Sequence, residues 1–313
     1  MIQLGDNLEV MKSIDSNSVN LIYADILYGT GRDFSDYKDI SSNRKEVEDF
    51  YIDRIKEMHR IMKPDSSIYL QMDNRISHYI RILIQDTFGV NNFRNQIIYM
   101  KRTTQTNSKT NYYPKVYDII LFFTKSDKYT FNIQRTPISS ESESRYNKVD
   151  ENNRNYMTQG IKKKNYNKRK TLIFNGKEYT DDYSWSQETL DKRISEGIIV
   201  EENTLGELGF RRYLDNNTGK QLNDLWIDIP GAVSPILEYQ TQKPLNLMER
   251  IVTVSSNEND LLFDPFMGSG SFLVAGKKLN RKVSGCDINP NAVEITKRRL
   301  KELNKYEEDI FEF

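Results

Sequence analysis

The chain alternates between short apolar runs and longer stretches in which apolar residues recur at helical spacing. Runs such as 19–24 and 116–124 are almost wholly apolar, which is typical of parallel strands buried on both faces. Strands are predicted at 2–4, 19–24, 67–72, 96–100, 116–124, 261–263 and 283–288. Helices are predicted from residue 7, over 44–62, 75–88, 244–254 and 272–279, and from residue 290. This alternation of strand and helix predicts an α/β fold with a parallel sheet.

The pattern changes in the middle of the chain. From about residue 139 to residue 225 the sequence is rich in Ser, Asn, Glu, Lys and Tyr, and Gly or Asn turns separate short alternating segments. We therefore predict that one α/β core is divided into two halves, 1–135 and 226–313, by an inserted and partly irregular module at 136–225.

The charges are unevenly distributed although the formal net charge of the 313 residues is zero. Residues 94–170 contain 17 Lys and Arg against 6 Asp and Glu, a local charge of +11. Such asymmetry indicates contact with nucleic acid, and a solvated surface or a polar loop is the open alternative. The candidate DNA-binding residues are Lys101, Arg102, Lys162, Lys163, Lys164, Lys168, Arg169 and Lys170.

Composition excludes several other classes of protein. A single cysteine rules out an intrachain disulfide, and with only two histidines we expect no zinc or other metal site. No apolar segment approaches the length of a membrane span, and the first residues lack the pattern of a secretory signal. We therefore expect a cytoplasmic protein.

The strongest candidate for a ligand site is the glycine turn at 263–271. An apolar run ends at Asp264, two glycines follow at Gly268 and Gly270, and a helix begins directly afterwards. This order lets a ligand approach backbone amides closely. Asp287 ends the next strand, where an acid commonly binds ribose hydroxyls, while Asp264 is placed to accept from a cationic amine. The turn therefore predicts a ribose-bearing ligand.

A second acidic segment, 25–28, follows the predicted strand 19–24. Taken alone, it is most simply the end of a strand whose Ile26 and Leu27 lie in the core. Its alternative role as a catalytic loop depends on what surrounds it.

The motifs together resemble those of amino-methylating DNA methyltransferases. Residues 264–270 resemble the S-adenosylmethionine-binding motif, and 241–244 with 247–251 resemble the segment that precedes it. The turn at 5–7 resembles the one that contacts the adenine of the cofactor, and 25–28 lies where the family has its catalytic Asp-Pro-Pro-Tyr motif. The order of catalytic loop, insert and cofactor motif is that of the beta class.

The resemblance implies a Rossmann-like class I methyltransferase with a mostly parallel seven-stranded sheet and a target-recognition insert. It implies S-adenosylmethionine as the cofactor, double-stranded DNA as the substrate, and a homodimer or a restriction or specificity subunit as further partners. The implied catalytic residues are Asp25, Ile26 and Tyr28. The implied cofactor-binding residues are Asp6, Asn7, Thr241, Gln242, Lys243, Asp264, Pro265, Phe266, Gly268, Ser269, Gly270 and Asp287.

The implied reaction is methylation of adenine N6. The exocyclic amine is a weak nucleophile, so acceptors for its N–H groups would be needed from the Asp25 carboxylate and the Ile26 carbonyl. Tyr28 would stack on a base extruded from the duplex. The chain departs from the family at Ile26 and Leu27, which replace two prolines, and this predicts a less pre-organised loop. A catalytically inactive DNA-binding subunit and an RNA methyltransferase are the alternatives.

Overall fold

The computed structural model describes residues 1–33, 38–101, 111, 113–163, 169–202, 207–229 and 242–311, with the backbone alone at 201–202 and 304–311. The chain forms two compact units, of which one comprises Met1–Ile133 with Asn223–Phe313 and the other Gln134–Leu222. Each unit is described by itself below.

Sixteen strands are found in the described residues, and eight of them form one sheet with the order β1-β16-β15-β2-β3-β5-β4-β14. In chain order they are β1 (Ile2–Leu4), β2 (Val19–Asp25), β3 (Met62–Met72), β4 (Phe93–Met100), β5 (Tyr117–Thr124), β6 (Arg135–Thr136), β7 (Lys148–Val149), β8 (Asn155–Gly160), β9 (Lys170–Phe174), β10 (Lys177–Asp181), β11 (Ile199–Glu202), β12 (Glu207–Tyr213), β13 (Lys220–Gln221), β14 (Leu225–Trp226), β15 (Leu261–Asp264) and β16 (Lys282–Asp287).

The large sheet confirms the prediction of a mostly parallel sheet. Only β5 runs against its neighbours, since it pairs antiparallel with both β3 and β4. The sheet has one strand more than the seven expected, because the two-residue β14 adds to β4 at the edge. So short a strand has no hydrophobic alternation by which the sequence could reveal it.

The helices are α1 (Asn7–Lys12), α2 (Arg44–Ile61), α3 (Asn74–Phe88), α4 (Ser140–Glu143), α5 (Gln187–Ser195), α6 (Leu245–Ser255), α7 (Ser271–Lys278) and α8 (Pro290–Phe311). Asn43 and Asp73 cap α2 and α3, each accepting from backbone N–H groups of the first turn. Strand β3 begins before the strand predicted at 67–72, at Met62, which pairs with Val19 of β2.

The sheet of the larger unit is covered by apolar side chains on both faces. Along β2, Ile22 and Ala24 belong to one buried cluster, which includes residues of α2 and α3. The alternate residues Leu21 and Tyr23 belong to a second cluster with residues of α6, α7 and α8. Alternation along a strand that is buried on both faces explains why 19–24 is an unbroken apolar run.

The unit 134–222 has a small core of its own. Strands β11, β12, β8 and β7 form a four-stranded sheet, and β9 and β10 form a hairpin. One buried cluster, which includes side chains from β9, β10, β12 and α5, consists of Ile161, Leu172, Tyr179, Tyr183, Leu190 and Leu208. This part of the chain is therefore more regular than its polar sequence indicates.

Across the described residues, the helices include none that combines the length and apolar character of a membrane span.

Candidate active site

A cavity of about 490 Å³ opens in the larger unit where β2, β15 and β16 end. The carboxyl ends of parallel strands are where α/β sheets bind their ligands. The acids that end these strands, Asp25, Asp264 and Asp287, all line this cavity. Other cavity residues named in the predictions are Asp6, Asn7, Ile26, Tyr28, Lys243, Pro265, Phe266, Gly268 and Ser269. Sequence segments from both ends of the chain therefore meet at one site.

The glycine turn between β15 and α7 forms one wall of the cavity. Gly270 has φ of 73° and is the residue before α7. A Cβ atom there would lie 2.6 Å from the Thr296 side chain, whose hydroxyl donates to the Gly268 carbonyl at 3.0 Å. Glycine is thus required at Gly270 both for its backbone conformation and for the close approach of α8. Gly270 shapes the turn but is not among the residues lining the cavity.

Asp264 lies at the floor of the site and is 2% exposed. One oxygen of its carboxyl group accepts from the N–H of Phe266 at 2.9 Å. Burial raises the pKa of Asp264 well above its usual range, and the nearby Asp25 and Asp287 carboxylates raise it further. No ion pair to Asp264 is present among the described residues. A cationic amine bound in the cavity would supply the missing counter-charge.

Asp287 stabilises the glycine turn and also faces the cavity. Its two oxygens accept at 2.9 Å from the N–H groups of Gly268 and Asn289. Burial raises the pKa of Asp287 as well, although these backbone hydrogen bonds oppose that effect. Each carboxylate oxygen has a second lone pair, so the group can still accept from the two hydroxyls of a ribose.

The turn at 5–7 is fixed by a residue that the sequence analysis missed. Arg54 of α2 donates to Asp6 Oδ2 at 2.6 Å and to Asn7 Oδ1 at 2.7 Å. Asp6 also caps α1 through the N–H of Leu8, and Asn7 donates to the Pro265 carbonyl at 3.0 Å. Together the two predicted side chains connect α1, α2 and the glycine turn. Both residues also line the cavity.

Asp25 is the last residue of β2, and its side chain contacts two other residues. Its Oδ2 forms an ion pair with Lys243 Nζ, and its Oδ1 accepts from the Tyr28 hydroxyl at 3.0 Å. Burial raises the pKa of Asp25, and the ammonium group of Lys243 offsets part of this increase. Lys243, predicted as a cofactor residue, is thus a direct partner of the predicted catalytic carboxylate.

The loop 25–28 lacks the two prolines of the family motif, and other contacts hold it in place. The N–H of Ile26 donates to the Gln71 carbonyl at 3.1 Å, and Ile26 is 2% exposed. The Leu27 carbonyl accepts from the Tyr51 hydroxyl at 3.4 Å. Hydrogen bonds and packing therefore constrain this backbone, although the two prolines are absent.

Asp39 stabilises the turn that follows Tyr28, and the sequence did not indicate this role. Its carboxylate is 2% exposed and accepts from the N–H groups of Gly29 and Thr30 at 3.2 and 2.8 Å. Gly29 has φ of 67°, and a Cβ there would lie 2.5 Å from Ile76. A glycine and a buried acceptor therefore set the path of the chain after Tyr28.

The predicted DNA-binding residues differ in their exposure and in their partners. Lys101 pairs with the buried Asp118 at 2.5 Å, so its ammonium group is already engaged. Within the unit 134–222, Lys162 pairs with Asp181 at 2.6 Å. Lys163 and Arg169 are exposed, and Lys170 donates to the Trp185 carbonyl at 3.4 Å.

Some predicted residues contribute less to the cavity than expected or were not described. Gln242 is described but does not line the cavity. The residues outside the described part of the chain are Thr241, Arg102, Lys164 and Lys168.

Two further residues that the sequence did not identify, both near the loop 25–28, do carry a weak sequence signal. Gln71 and Asp118 are polar residues inside otherwise apolar strands, and both are completely buried. A polar side chain within such a run needs a partner when buried, so it indicates a network, but it does not identify the partner. Arg54 and Asp39 lie in polar surroundings in the sequence and carry no comparable signal.

Comparison with known proteins agrees with this site. Residues 19–298 match the N6/N4 family described as DNA methylase. The Type II methyltransferase M.HpaI of Haemophilus parainfluenzae is 26% identical over 94% of this chain and 71% of its own length. The DNA adenine methyltransferase YhdJ of Escherichia coli K12 is 24% identical over 96% of this chain and 83% of its own. The crystal structure of an M1.HpyAVI–SAM complex is 17% identical, covers 96% of this chain and 99% of its own, and aligns with a TM-score of 0.53.

The chain belongs to the DNA methylase family, since the family match extends over most of its length. It has the Rossmann-like fold of class I methyltransferases, and its cofactor is S-adenosylmethionine. The cavity suits that cofactor, because it combines a buried acid that forms no ion pair within the described part of the chain with a second acid that can accept from a ribose.

Proposed function

We propose that this chain transfers a methyl group from S-adenosylmethionine to the N6 amine of adenine in duplex DNA. The observation that carries the proposal is that Asp25 and Tyr28 share one cavity with Asp264 and Asp287. The amine-activating loop and the cofactor-binding turn are therefore adjacent, although they lie at opposite ends of the chain.

The cofactor-binding part of the cavity uses charge and hydrogen bonds. Asp264 would pair with the α-ammonium group of the cofactor, which accounts for a buried carboxyl group that forms no ion pair among the described residues. Asp287 would accept from the ribose hydroxyls. Residues 5–7 and Phe266 also line the cavity. When bound, the cofactor supplies an electrophilic methyl group on its sulfonium.

Asp25 would activate the target amine. Its carboxylate accepts from one N–H group and the Ile26 carbonyl accepts from the other, which localises the nitrogen lone pair and stabilises the positive charge that develops there. Asp25 must be ionised for this role. Lys243 favours the ionised form, because its ammonium group opposes the effect of burial on the pKa of Asp25.

The base would reach this loop only after leaving the duplex. Adenine N6 is inaccessible within stacked DNA, so enzymes that modify it extrude the nucleotide into a pocket. The aromatic ring of Tyr28 lines the cavity beside Asp25 and would stack on the extruded base. Unstacking costs a few kcal/mol, and such contacts offset part of that cost.

The insert predicted at 136–225 would recognise the DNA target. It corresponds closely to the compact unit Gln134–Leu222, which has its own core and carries the exposed Lys163 and Arg169. Basic side chains of this kind contact phosphates and position a protein on DNA. We further propose that the protein acts in the cytoplasm, as a homodimer or beside a restriction or specificity subunit.

The proposal is tested with the purified chain, labelled S-adenosylmethionine, and DNA and RNA of the same sequence in competition. Mass spectrometry of the digested nucleosides identifies the methylated atom. We expect N6-methyladenine in DNA alone. Methylated RNA would favour the RNA methyltransferase alternative, and absence of transfer despite cofactor and DNA binding would favour an inactive specificity subunit.

A further inference from the structure

A completely buried carboxylate, Asp118, lies behind the catalytic loop. It belongs to β5 and is 0% exposed. Its Oδ2 accepts from Gln71 Nε2 and from the Tyr28 hydroxyl, both at 2.9 Å, and its Oδ1 pairs with Lys101 Nζ at 2.5 Å. Burying a carboxylate is costly even when it is paired, and an apolar residue would suit this sheet better. Asp118 therefore calls for a functional explanation.

The Tyr28 hydroxyl lies between two carboxyl groups. It is 3.0 Å from Asp25 Oδ1 and 2.9 Å from Asp118 Oδ2. A phenol has a single proton, so Tyr28 can donate to only one of these oxygens at a time. Burial raises the pKa of Tyr28 well above its usual range, and both carboxylates add to this effect. Tyr28 therefore remains a neutral donor with two alternative acceptors.

The position of Asp118 is fixed by the sheet itself. Gln71 donates to Asp118 through Nε2, while its Oε1 accepts from the Tyr23 hydroxyl at 2.8 Å. Tyr23, Gln71 and Asp118 belong to the adjacent strands β2, β3 and β5. A group held by three neighbouring strands is well suited to hold a loop residue in one geometry.

We propose that Asp118 is a positioning residue for methyl transfer. It accepts the hydrogen bond of the Tyr28 hydroxyl while the target amine occupies Asp25, and so holds the Tyr28 ring in place and leaves the Asp25 carboxylate free for the substrate. This inference rests on the roles proposed above for Asp25 and Tyr28.

Lys101 contacts Asp118 and lies near the ring of Tyr28. Its ammonium group neutralises Asp118 and lies 5.5 Å from the centre of the Tyr28 ring. Its loss would therefore disturb the transfer step. Replacement of Lys101 by Met is expected to lower kcat and to leave the salt dependence of DNA binding unchanged.

The matched variants are Asp118→Asn, Tyr28→Phe, their combination, and Tyr99→Phe as the control. In Asp118→Asn the amide oxygen is expected to face Lys101, which turns the amide N–H₂ group toward Tyr28 and Gln71 and removes the oxygen that accepts from both. Tyr99 pairs with Asp118 across the sheet, and its buried hydroxyl has no hydrogen-bond partner among the described residues. Tyr99→Phe removes a phenolic oxygen, as Tyr28→Phe does, but leaves the hydrogen bonds among Tyr28, Asp118 and Gln71 in place.

Steady-state kinetics, calorimetry of cofactor binding and the fluorescence of 2-aminopurine at the target position are measured for each variant. Asp118→Asn is expected to lower kcat about tenfold with unchanged cofactor affinity, the effect of losing one hydrogen bond to a charged group. In the Tyr28→Phe background it should have less than a threefold effect. The fluorescence signal of the extruded base should fall in Asp118→Asn and stay unchanged in Tyr99→Phe.

Thermal unfolding of the ligand-free protein gives a readout that needs no activity. Asp118→Asn should lower Tm more in the native background than in Tyr28→Phe, because the two groups share one hydrogen bond. Equal effects in both backgrounds, on kcat and on Tm, would overturn the inference while leaving the proposed function intact. Absence of DNA methylation by the unmodified chain would overturn both.

Discussion

The N–H of Ile26 donates a hydrogen bond to the carbonyl of Gln71 at 3.1 Å, in a place where the family motif has a proline that could not make this bond. The side chain of Ile26 also packs into the core that covers one face of the sheet. The loop is thus held by a bond across to β3 and by apolar burial, which replace the conformational restriction of proline.

Restoring the family residue is therefore expected to harm this chain. Ile26→Pro loses the hydrogen bond to Gln71 and part of a buried side chain, which together should cost about 2 kcal/mol of unfolding free energy. Ile26→Val keeps the N–H and should cost about 1 kcal/mol. Urea denaturation measures both. A proline variant as stable as the original chain, with higher kcat, would show that the loop lacks pre-organisation.

The pair of Lys243 and Asp25 predicts a specific pH dependence. Burial raises the pKa of Asp25 and Lys243 counteracts this, so Lys243→Met should raise that pKa further. The proposed activation of the amine requires the ionised form of Asp25, so activity should rise with pH through this pKa, and the acidic limb of kcat should move to higher pH in the variant. Lys56→Met, which removes an exposed ammonium paired with Asp53, is the control. An unmoved limb in Lys243→Met would show that the pair does not set the ionisation of Asp25.

Asp264 is expected to lower the stability of the ligand-free protein as pH rises and to be needed for tight cofactor binding. Its pKa is raised in the folded protein, so the unfolded chain loses its proton first as pH rises above about 3.8 and stability declines. Asp264→Asn keeps the acceptor for Phe266 and removes this titration. The variant should match the original at pH 4 and unfold at a higher temperature at pH 8, while cofactor affinity falls at least tenfold. Calorimetry measures both quantities.

Asp65 is exposed, so Asp65→Asn serves as the control for Asp264→Asn. It should change neither the unfolding temperature at pH 8 nor the affinity for the cofactor. If Asp264→Asn binds the cofactor normally, Asp264 does not pair with its ammonium group.

The exposed basic residues Lys163 and Arg169 are expected to contact DNA phosphates. Replacing both by Gln should weaken DNA binding and reduce the slope of log K against log salt by about 2, since each phosphate contact in duplex DNA contributes about 0.9. The control replaces Lys12 and Lys56, which lie in exposed ion pairs on α1 and α2. A slope equal in the two double variants would place the DNA contacts elsewhere.

The sequence predicted those features of the fold that depend on local pattern. The unbroken apolar runs predicted β2 and β5, and the acids that end β2, β15 and β16 predicted the position of the site. It could not predict that Arg54, far away in the sequence, fixes Asp6 and Asn7, because an ion pair between separate elements leaves no periodic trace. The small sheet within 134–222 was likewise hidden, since its strands are short and polar.

Lys243 illustrates the same limit at the site. The resemblance assigned it to the cofactor on the basis of the segment 241–244, whereas the structure places its ammonium group against Asp25. Sequence motifs group residues by their order along the chain, and only the fold reveals which of them meet.

One measurement decides whether Asp25 activates adenine N6 beside the cofactor. DNA from cells that express either the unmodified chain or Asp25→Ala is digested, and its methylated nucleosides are identified and mapped. We expect N6-methyladenine at one recognition sequence with the unmodified chain and none with Asp25→Ala, and we expect purified Asp25→Ala still to bind S-adenosylmethionine. N4-methylcytosine, or N6-methyladenine that persists with Asp25→Ala, would contradict this role of Asp25.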